Sequence, residues 1–498
     1  MTKLSEALSR VYPAAVNHII RSKDISRADR ELLVRSRWLQ PIIRGWYLLI
    51  RPDSPNGESS SWYASFWDFL SLYLQDLYGD RYCLSAENSL DVHITATMVP
   101  KQVIVIASKG NNSPLELPFH TSLLTYGSPD QIPEERILIK GLQVMNLALA
   151  LCRVGPSYFI KNAKEAELAL RLIKDPSEIV YPIVKYDFKR AANRMVGAYL
   201  FLGENQIAAQ IQAQLEQQHF RIIPENPFSE AKPYLQGSIE SPYAARIYIL
   251  WQSLREPIVD LFPPSAGRLE KKAYFAALEK IYAEDAYNSL SIEGYRVSDE
   301  LIQRVVEGNW DPDGHIKDQT ERDALAALGY FQAFQKVKES IRRIFDGASP
   351  SAEIEKHLSL WLRSLFQPLV DAQILRPQDL IGYRRHQVYI RGSRHIPFPK
   401  EALVDAMKAF FECLSKEPSA SVRAILGHFL FVYIHPYMDG NGRIARFLMN
   451  VMFASEGYPW TIIQVKHRDR YFGALELASV ENDIVPLTKF ILEEMGAM

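Results

Sequence analysis

Two apolar segments at helical spacing, Ser421 to Ile434 and Ile444 to Ala454, flank one short polar run, His435-Pro436-Tyr437-Met438-Asp439-Gly440-Asn441-Gly442-Arg443. This alternation leaves the chain little freedom. Two helices with apolar surfaces must pack into a core, and a glycine-rich loop must join them. The polar groups of the run then gather at the start of the second helix.

Gly440 and Gly442 flank Asn441, so the backbone can take positive φ angles and turn its N–H groups inward. A helix N-terminus follows directly, and its free N–H groups and dipole favour an anion. Arg443 and Arg446 are three apart on one helical face and can both point over that anion. Such a set suits a di- or triphosphate better than a carboxylate. Asp439 adds a negative charge, which fits a hard cation such as Mg²⁺ held between it and the phosphates. His435, with an ordinary pKa near ~6.5, can accept a proton at neutral pH. Singly, each residue has an ordinary role: a cap, a turn, a solvated helix face. Together at this spacing they read as a catalytic phosphate site.

The run resembles the signature of the Fic family, His-Pro-Phe-x-Asp/Glu-Gly-Asn-Gly-Arg-x-x-Arg, with Tyr437 where Phe is usual. The resemblance implies an all-helical core with a small β-hairpin flap, and transfer of AMP from ATP to a Ser, Thr or Tyr hydroxyl of a target protein. By the same resemblance His435 deprotonates the hydroxyl and Asp439 holds Mg²⁺. Gly440, Asn441 and Gly442, followed by Ile444 and Ala445, bind the nucleotide; Arg443 takes the β-phosphate and Arg446 the γ-phosphate.

Further motifs point the same way. In the run 285–298, Ser289 and Glu293 lie one turn apart on the same helical face, and Gly294 follows as a helix C′ residue. The run resembles the family's inhibitory motif, Ser/Thr-x-x-x-Glu-Gly/Asn, which implies that Glu293 pairs with Arg446. Val388-Tyr389-Ile390 alternates like a strand, and Arg391-Gly392-Ser393-Arg394 supplies a turn before Ile396-Pro397-Phe398-Pro399. This stretch resembles the family's flap, implying that a target segment adds along 388–397 and that Gly392 and Ser393 lie by the nucleotide. Arg470 to Glu476 resembles the helix lining the adenosine pocket, with Tyr471 as the ring-stacking residue.

At 498 residues the chain exceeds a single core. The expected division is 1–119, a winged-helix-like α+β domain; 120–226, a helical intermediate region; and 227–498, the Fic domain, entered through linkers at Pro224 to Phe228 and Pro263 to Gly267. The first 51 residues hold ten Lys or Arg against four acids. Short helices followed by a hairpin at Arg44-Gly45 fit a winged helix, and residues Leu4 to Phe119 loosely resemble AbiEi-type regulator domains. Hence the competing reading is a DNA-binding regulator with a nucleotide-sensing Fic core; removal of AMP from the same target is a further alternative. The net charge of −1 argues for no whole-protein electrostatic partner. Cys83, Cys152 and Cys413 show no paired spacing, as in a reducing cytosol. The longest apolar stretches, Leu147 to Cys152 and Phe429 to Ile434, fall far short of a membrane span. A cytoplasmic protein is expected, with self-association left open.

Overall fold

The computed structural model describes residues 3–50, 59–230, 232–235, 239, 241–265, 267–268, 270–307 and 318–496. The fold is mainly helical with three small sheets. It divides into two compact units, Met1–Ala245 with Tyr389–Ile396, and Arg246–Val388 with Pro397–Met498.

The first unit opens with α1 (Lys3–Val11), β1 (Ile19–Arg21), α2 (Arg27–Arg35), β2 (Leu39–Ile43) and β3 (Trp46–Leu49). The strands form an antiparallel sheet in the order β1-β3-β2. Gly45, at φ +88°, makes the turn of the expected hairpin. Arg10, Arg21, Lys23 and Arg27 pair with Asp29, Asp24, Asp76 and Glu31, so much of the local basic excess is neutralised within the unit.

Next come α3 (Ser60–Tyr78), β4 (Tyr82–Leu84), α4 (Ala86–His93), β5 (Gln102–Ala107), β6 (Pro114–Leu117) and β7 (Thr121–Gly127). These strands make a sheet in the order β4-β5-β7-β6, with β5 and β7 parallel. Trp62, Phe66 and Phe69 of α3 join Trp46, Val103 and Val105 in one core. The hairpin of β8 (Arg136–Ile139) and β9 (Leu142–Met145) leads to α5 (Leu147–Arg153), α6 (Pro156–Lys161), α7 (Ala163–Leu172), α8 (Ser177–Tyr186), α9 (Lys189–Phe201) and α10 (Asn205–Gln217).

The Pro224 to Phe228 stretch, expected as a linker, is packed instead. Glu225 donates its N–H to the Asn193 carbonyl at 3.1 Å, and Phe228 stacks on Phe201 at 4.7 Å. A Cβ on Gly197 would stand 2.1 Å from the Glu225 carbonyl oxygen, so only glycine admits this approach.

Residues Tyr389–Ile396 also belong to this unit. The turn at 391–392 is present, with the Ser393 N–H on the Ile390 carbonyl at 3.1 Å. The two arms do not form the expected hairpin ladder. Instead Ile396 donates to the Thr97 carbonyl at 2.7 Å, and His395 bridges to Met98. Pro397 and Pro399 offer no N–H, so the pairing stops there.

The second unit comprises α11 (Pro242–Leu261, whose first turn counts with the first unit), α12 (Lys271–Ile292), α13 (Asp299–Glu307), α14 (Asp318–Phe345), α15 (Pro350–Asp371), α16 (Leu403–Lys416), α17 (Ala420–Ile434), α18 (Asn441–Ala454), α19 (Arg468–Val480) and α20 (Val485–Glu494). Helix α17 is buried on almost every side, as its all-round apolar sequence requires. Helix α18 packs against it and also meets α12, α14 and α15. Phe447 of α18 lies 4.9 Å from the Tyr330 ring, and Asp285 accepts from the Tyr330 hydroxyl at 2.7 Å and Trp460 Nε1 at 2.9 Å. The two helices of the sequence motif are thus the centre of this unit. The three cysteines are buried and free. Among the described residues no helix is long and apolar enough to cross a membrane.

Candidate active site

Helix α17 ends at Ile434, and His435 caps it in the left-handed region at φ +52°. That conformation costs a β-carbon-bearing residue roughly 1 kcal/mol, so neighbours must hold it. Arg384 does so. It is 4% exposed, its N–H donates to the Pro436 carbonyl at 2.9 Å, and its Nε donates to the His435 carbonyl at 2.8 Å. Its remaining nitrogens bond the carbonyls of His386 and Phe398.

The imidazole Nδ1 of His435 lies 3.2 Å from the Val432 carbonyl. A carbonyl only accepts, so Nδ1 carries the proton and Nε2 keeps its lone pair. Burial lowers the histidine's pKa to about 4, against a small opposing effect of the Val432 contact. At neutral pH the ring is an uncharged base.

The loop that follows is clamped by Asn441, whose Oδ1 accepts from the Tyr437 N–H at 3.0 Å and whose Nδ2 donates to the Tyr437 carbonyl at 2.8 Å. Gly440, at φ +83°, is the N-cap of α18 and has no side chain to close the helix end. The first N–H groups of α18 therefore have no intrahelical partner, the arrangement that receives anions.

Arg443 is 1% exposed and lies between the rings of Tyr295 and Phe366, each 5.1 Å from its guanidinium carbon. Its Nη2 donates to Asp439 Oδ1 at 3.2 Å. Arg446 Nε donates to Ser289 Oγ at 2.9 Å, and its Nη2 donates to the Ser289 carbonyl at 3.0 Å and to Glu293 Oε1 at 2.7 Å. Two buried donors, Arg443 Nε and Arg446 Nη1, have no hydrogen-bond partner. Buried unsatisfied donors are costly, and a polyphosphate would relieve them.

The run that resembles an inhibitory motif lies at the end of α12. Glu293 is the C-cap and Gly294, at φ +91°, closes the helix. A Cβ on Gly442 would fall 2.3 Å from Glu293 Oε1 and 3.2 Å from Arg446 Nη1. The Glu293 carboxylate is thus itself the anion at the start of α18.

Asp439 is the exposed acid of the site, with 56% of its side chain accessible. Its Oδ1 accepts from the Gly440 N–H at 2.5 Å, whereas Oδ2 makes no hydrogen bond among the described residues. One free carboxylate oxygen fits Mg²⁺, whose other ligands are phosphates and waters. Among the described residues no group of three or more His, Cys, Asp or Glu could hold a metal alone. A cleft of about 740 Å³, lined by Phe366, Arg376, Tyr383, His386 and Met438, opens beside Asp439.

The other residues expected at the site are placed differently. The side chains of Ile444 and Ala445 are fully buried in the core, which leaves them only backbone contacts to offer. Tyr471 is 1% exposed, its hydroxyl 2.7 Å from His428 Nε2 and its ring stacked on Phe490 at 5.8 Å. It packs as a core residue instead of presenting the expected stacking face, because that side of α19 faces α17 and α20. Gly392 (φ +75°) and Ser393, whose Oγ accepts from the His395 N–H at 3.0 Å, lie in the 389–396 segment of the other unit. Sequence reasoning missed Arg384, Tyr295 and Phe366. Arg384 lies just before the stretch read as flap, and no local pattern marks it as support for a histidine 51 residues later.

The geometry defines a class: a helical domain presenting a neutral imidazole beside an anion-receptive helix start. Residues 353–453 match the Fic/DOC family model. Among curated relatives, "Protein adenylyltransferase Fic" of Drosophila virilis is 30% identical over 233 residues, covering 45% of this chain and 42% of that protein. The protein of the same name from Drosophila grimshawi is 28% identical over 302 residues, covering 59% of this chain and 56% of that protein. The chain thus spans about half the length of the curated relatives it matches. Among solved structures, Fic-1 (residues 134–508) from C. elegans is 18% identical, with a TM-score of 0.37 over 70% of this chain and 94% of that one.

Proposed function

We propose that this chain is a protein adenylyltransferase, transferring AMP from ATP to a hydroxyl of a target protein, and that Glu293 restrains it. The hydroxyl oxygen attacks the α-phosphorus and forms the new O–P bond. The bond from that phosphorus to the bridging oxygen of the β-phosphate breaks, and pyrophosphate leaves. Nε2 of His435 takes the hydroxyl proton, a role that suits a ring kept neutral by burial. The N–H groups at the start of α18 hold the phosphate oxygens where negative charge develops. Arg443 and Arg446 carry unpartnered buried donors toward the outer phosphates. Mg²⁺, bound through Asp439, would neutralise part of the phosphate charge.

The observation that carries the restraint is the 2.7 Å pair of Arg446 with Glu293, whose carboxylate lies against Gly442. A γ-phosphate and this carboxylate compete for one guanidinium. The curated relatives, named as protein adenylyltransferases, support adenylyl transfer over other phosphate chemistry.

The test incubates purified chain and Mg²⁺ with ATP labelled on the α-phosphate, in a lysate supplying targets. Wild type, Glu293→Gly, and Glu293→Gly with His435→Ala are compared. Label on protein that rises with the first substitution and disappears with the second supports the proposal. A sequence-selective DNA shift with no label in any variant would overturn it in favour of a regulator.

A further inference from the structure

Within the first unit, the end of α5, the α8–α9 turn and the start of α9 line an open cleft of about 730 Å³, a size within the range of small-molecule sites. Arg153, Arg190 and Arg194 line it, and none of them forms an ion pair among the described residues. Lys189 adds a cation but is paired with Asp187 at 3.3 Å; Asp130 is the other acid in the lining.

Arg194 is the informative residue. It is 7% exposed and fixed in place, with Nη2 donating to the carbonyls of Cys152 at 3.0 Å and Val154 at 2.8 Å. The Phe159 ring supports its guanidinium at 5.5 Å. Among the described residues its Nε is buried without a partner, and its Nη1 makes no hydrogen bond. Burial lowers its pKa and outweighs the opposing influence of Cys152 and Glu225, and no carboxylate forms an ion pair with it among the described residues.

Helix α9 adds a second feature. Its N-cap is Phe188, which cannot cap, and Arg190 and Ala191 of its first turn line the cavity. The first long-range helical bond belongs to Ala192, on the Phe188 carbonyl at 2.9 Å. Tyr186 and Phe188, stacked at 5.3 Å, supply an aromatic wall, with Arg153 over Tyr186 at 5.4 Å.

We infer that this cavity is a binding site for a small nucleotide-like phosphate, its phosphate taken by Arg194, Arg190 and the start of α9, and its planar part by the aromatic wall. The inference is independent of adenylyl transfer at His435.

Hydrogen–deuterium exchange on the full chain tests it, with inorganic phosphate, AMP or a single-stranded oligonucleotide as separate probes. AMP should protect peptides covering 150–156 and 186–194, and phosphate should protect them at higher concentration. Protection at 435–446 reports the other site and is read separately. Arg190→Glu lies on an exposed side chain and leaves the fold intact; it should weaken AMP protection of 186–194 by roughly ten- to hundredfold. Absence of protection at millimolar AMP overturns the inference, as does protection that Arg190→Glu leaves unchanged. Protection by the oligonucleotide alone also overturns it and assigns the cavity to nucleic acid.

Discussion

Consider Glu293→Gly in more detail. In the resting molecule Glu293 Oε1 accepts a 2.7 Å hydrogen bond from Arg446, with side-chain exposures of 27% and 6%. A hydrogen bond to a charged group contributes about 1.5–3 kcal/mol. The bonds of Arg446 to Ser289 survive the substitution, so only this contribution is lost. If the carboxylate and the γ-phosphate compete for Arg446, removing the acid shifts the balance toward productive ATP by roughly 10- to 150-fold. Initial rates of AMP incorporation should rise by that factor, measured with ATP labelled on the α-phosphate at concentrations below KM. Glu293→Gln, which keeps a neutral hydrogen bond, should fall between the two. ATP with Mg²⁺ should also raise the melting temperature of Glu293→Gly more than that of wild type, because only the variant leaves Arg446 uncompensated. Equal incorporation by wild type and Glu293→Gly would refute the reasoning, whatever the melting data show.

Other substitutions separate chemistry from packing. In the Glu293→Gly background, Arg384→Met should lower kcat by about a hundredfold with little change in KM for ATP, since it frees the backbone that aims His435; steady-state kinetics decide. The acid limb of the rate should lie near pH 4, because the base is active when unprotonated and burial lowers its pKa to about 4; a limb at the ordinary histidine value would contradict the burial. Tyr471→Phe should cost about 1–2 kcal/mol in urea unfolding, by leaving His428 Nε2 unsatisfied, without changing KM for ATP. A large rise in KM would instead make Tyr471 a nucleotide contact.

The central helices and the loop between them were legible because their signals are local. Apolar spacing marks α17 and α18, and the glycines, histidine and arginines of 435–446 lie within one short stretch. The pairing of Glu293 with Arg446 was accessible only through family resemblance, since the two are 153 residues apart. Arg384 escaped notice because its role is set by carbonyls contributed from 386, 398 and 435. The cavity around Arg194 draws on three separate helices, in a region whose sequence carries no recognisable chemistry. The burial of Tyr471 and the pairing of 395–396 with 97–98 were not legible for a common reason: periodicity gives a residue's face but not what that face meets. The Pro224 to Phe228 stretch looked like a linker from its prolines, yet Gly197 lets it lie flat on α9.

Glu293 caps the C-terminal end of its helix, and Gly294 takes a positive φ immediately beyond it. Under the proposed restraint, fraying of that single turn would swing the Glu293 carboxylate away from Arg446 while the interior stayed folded, at the low end of local opening energies. On that proposal, responsiveness follows how often one helical end melts, and a partner gripping that end would free Arg446.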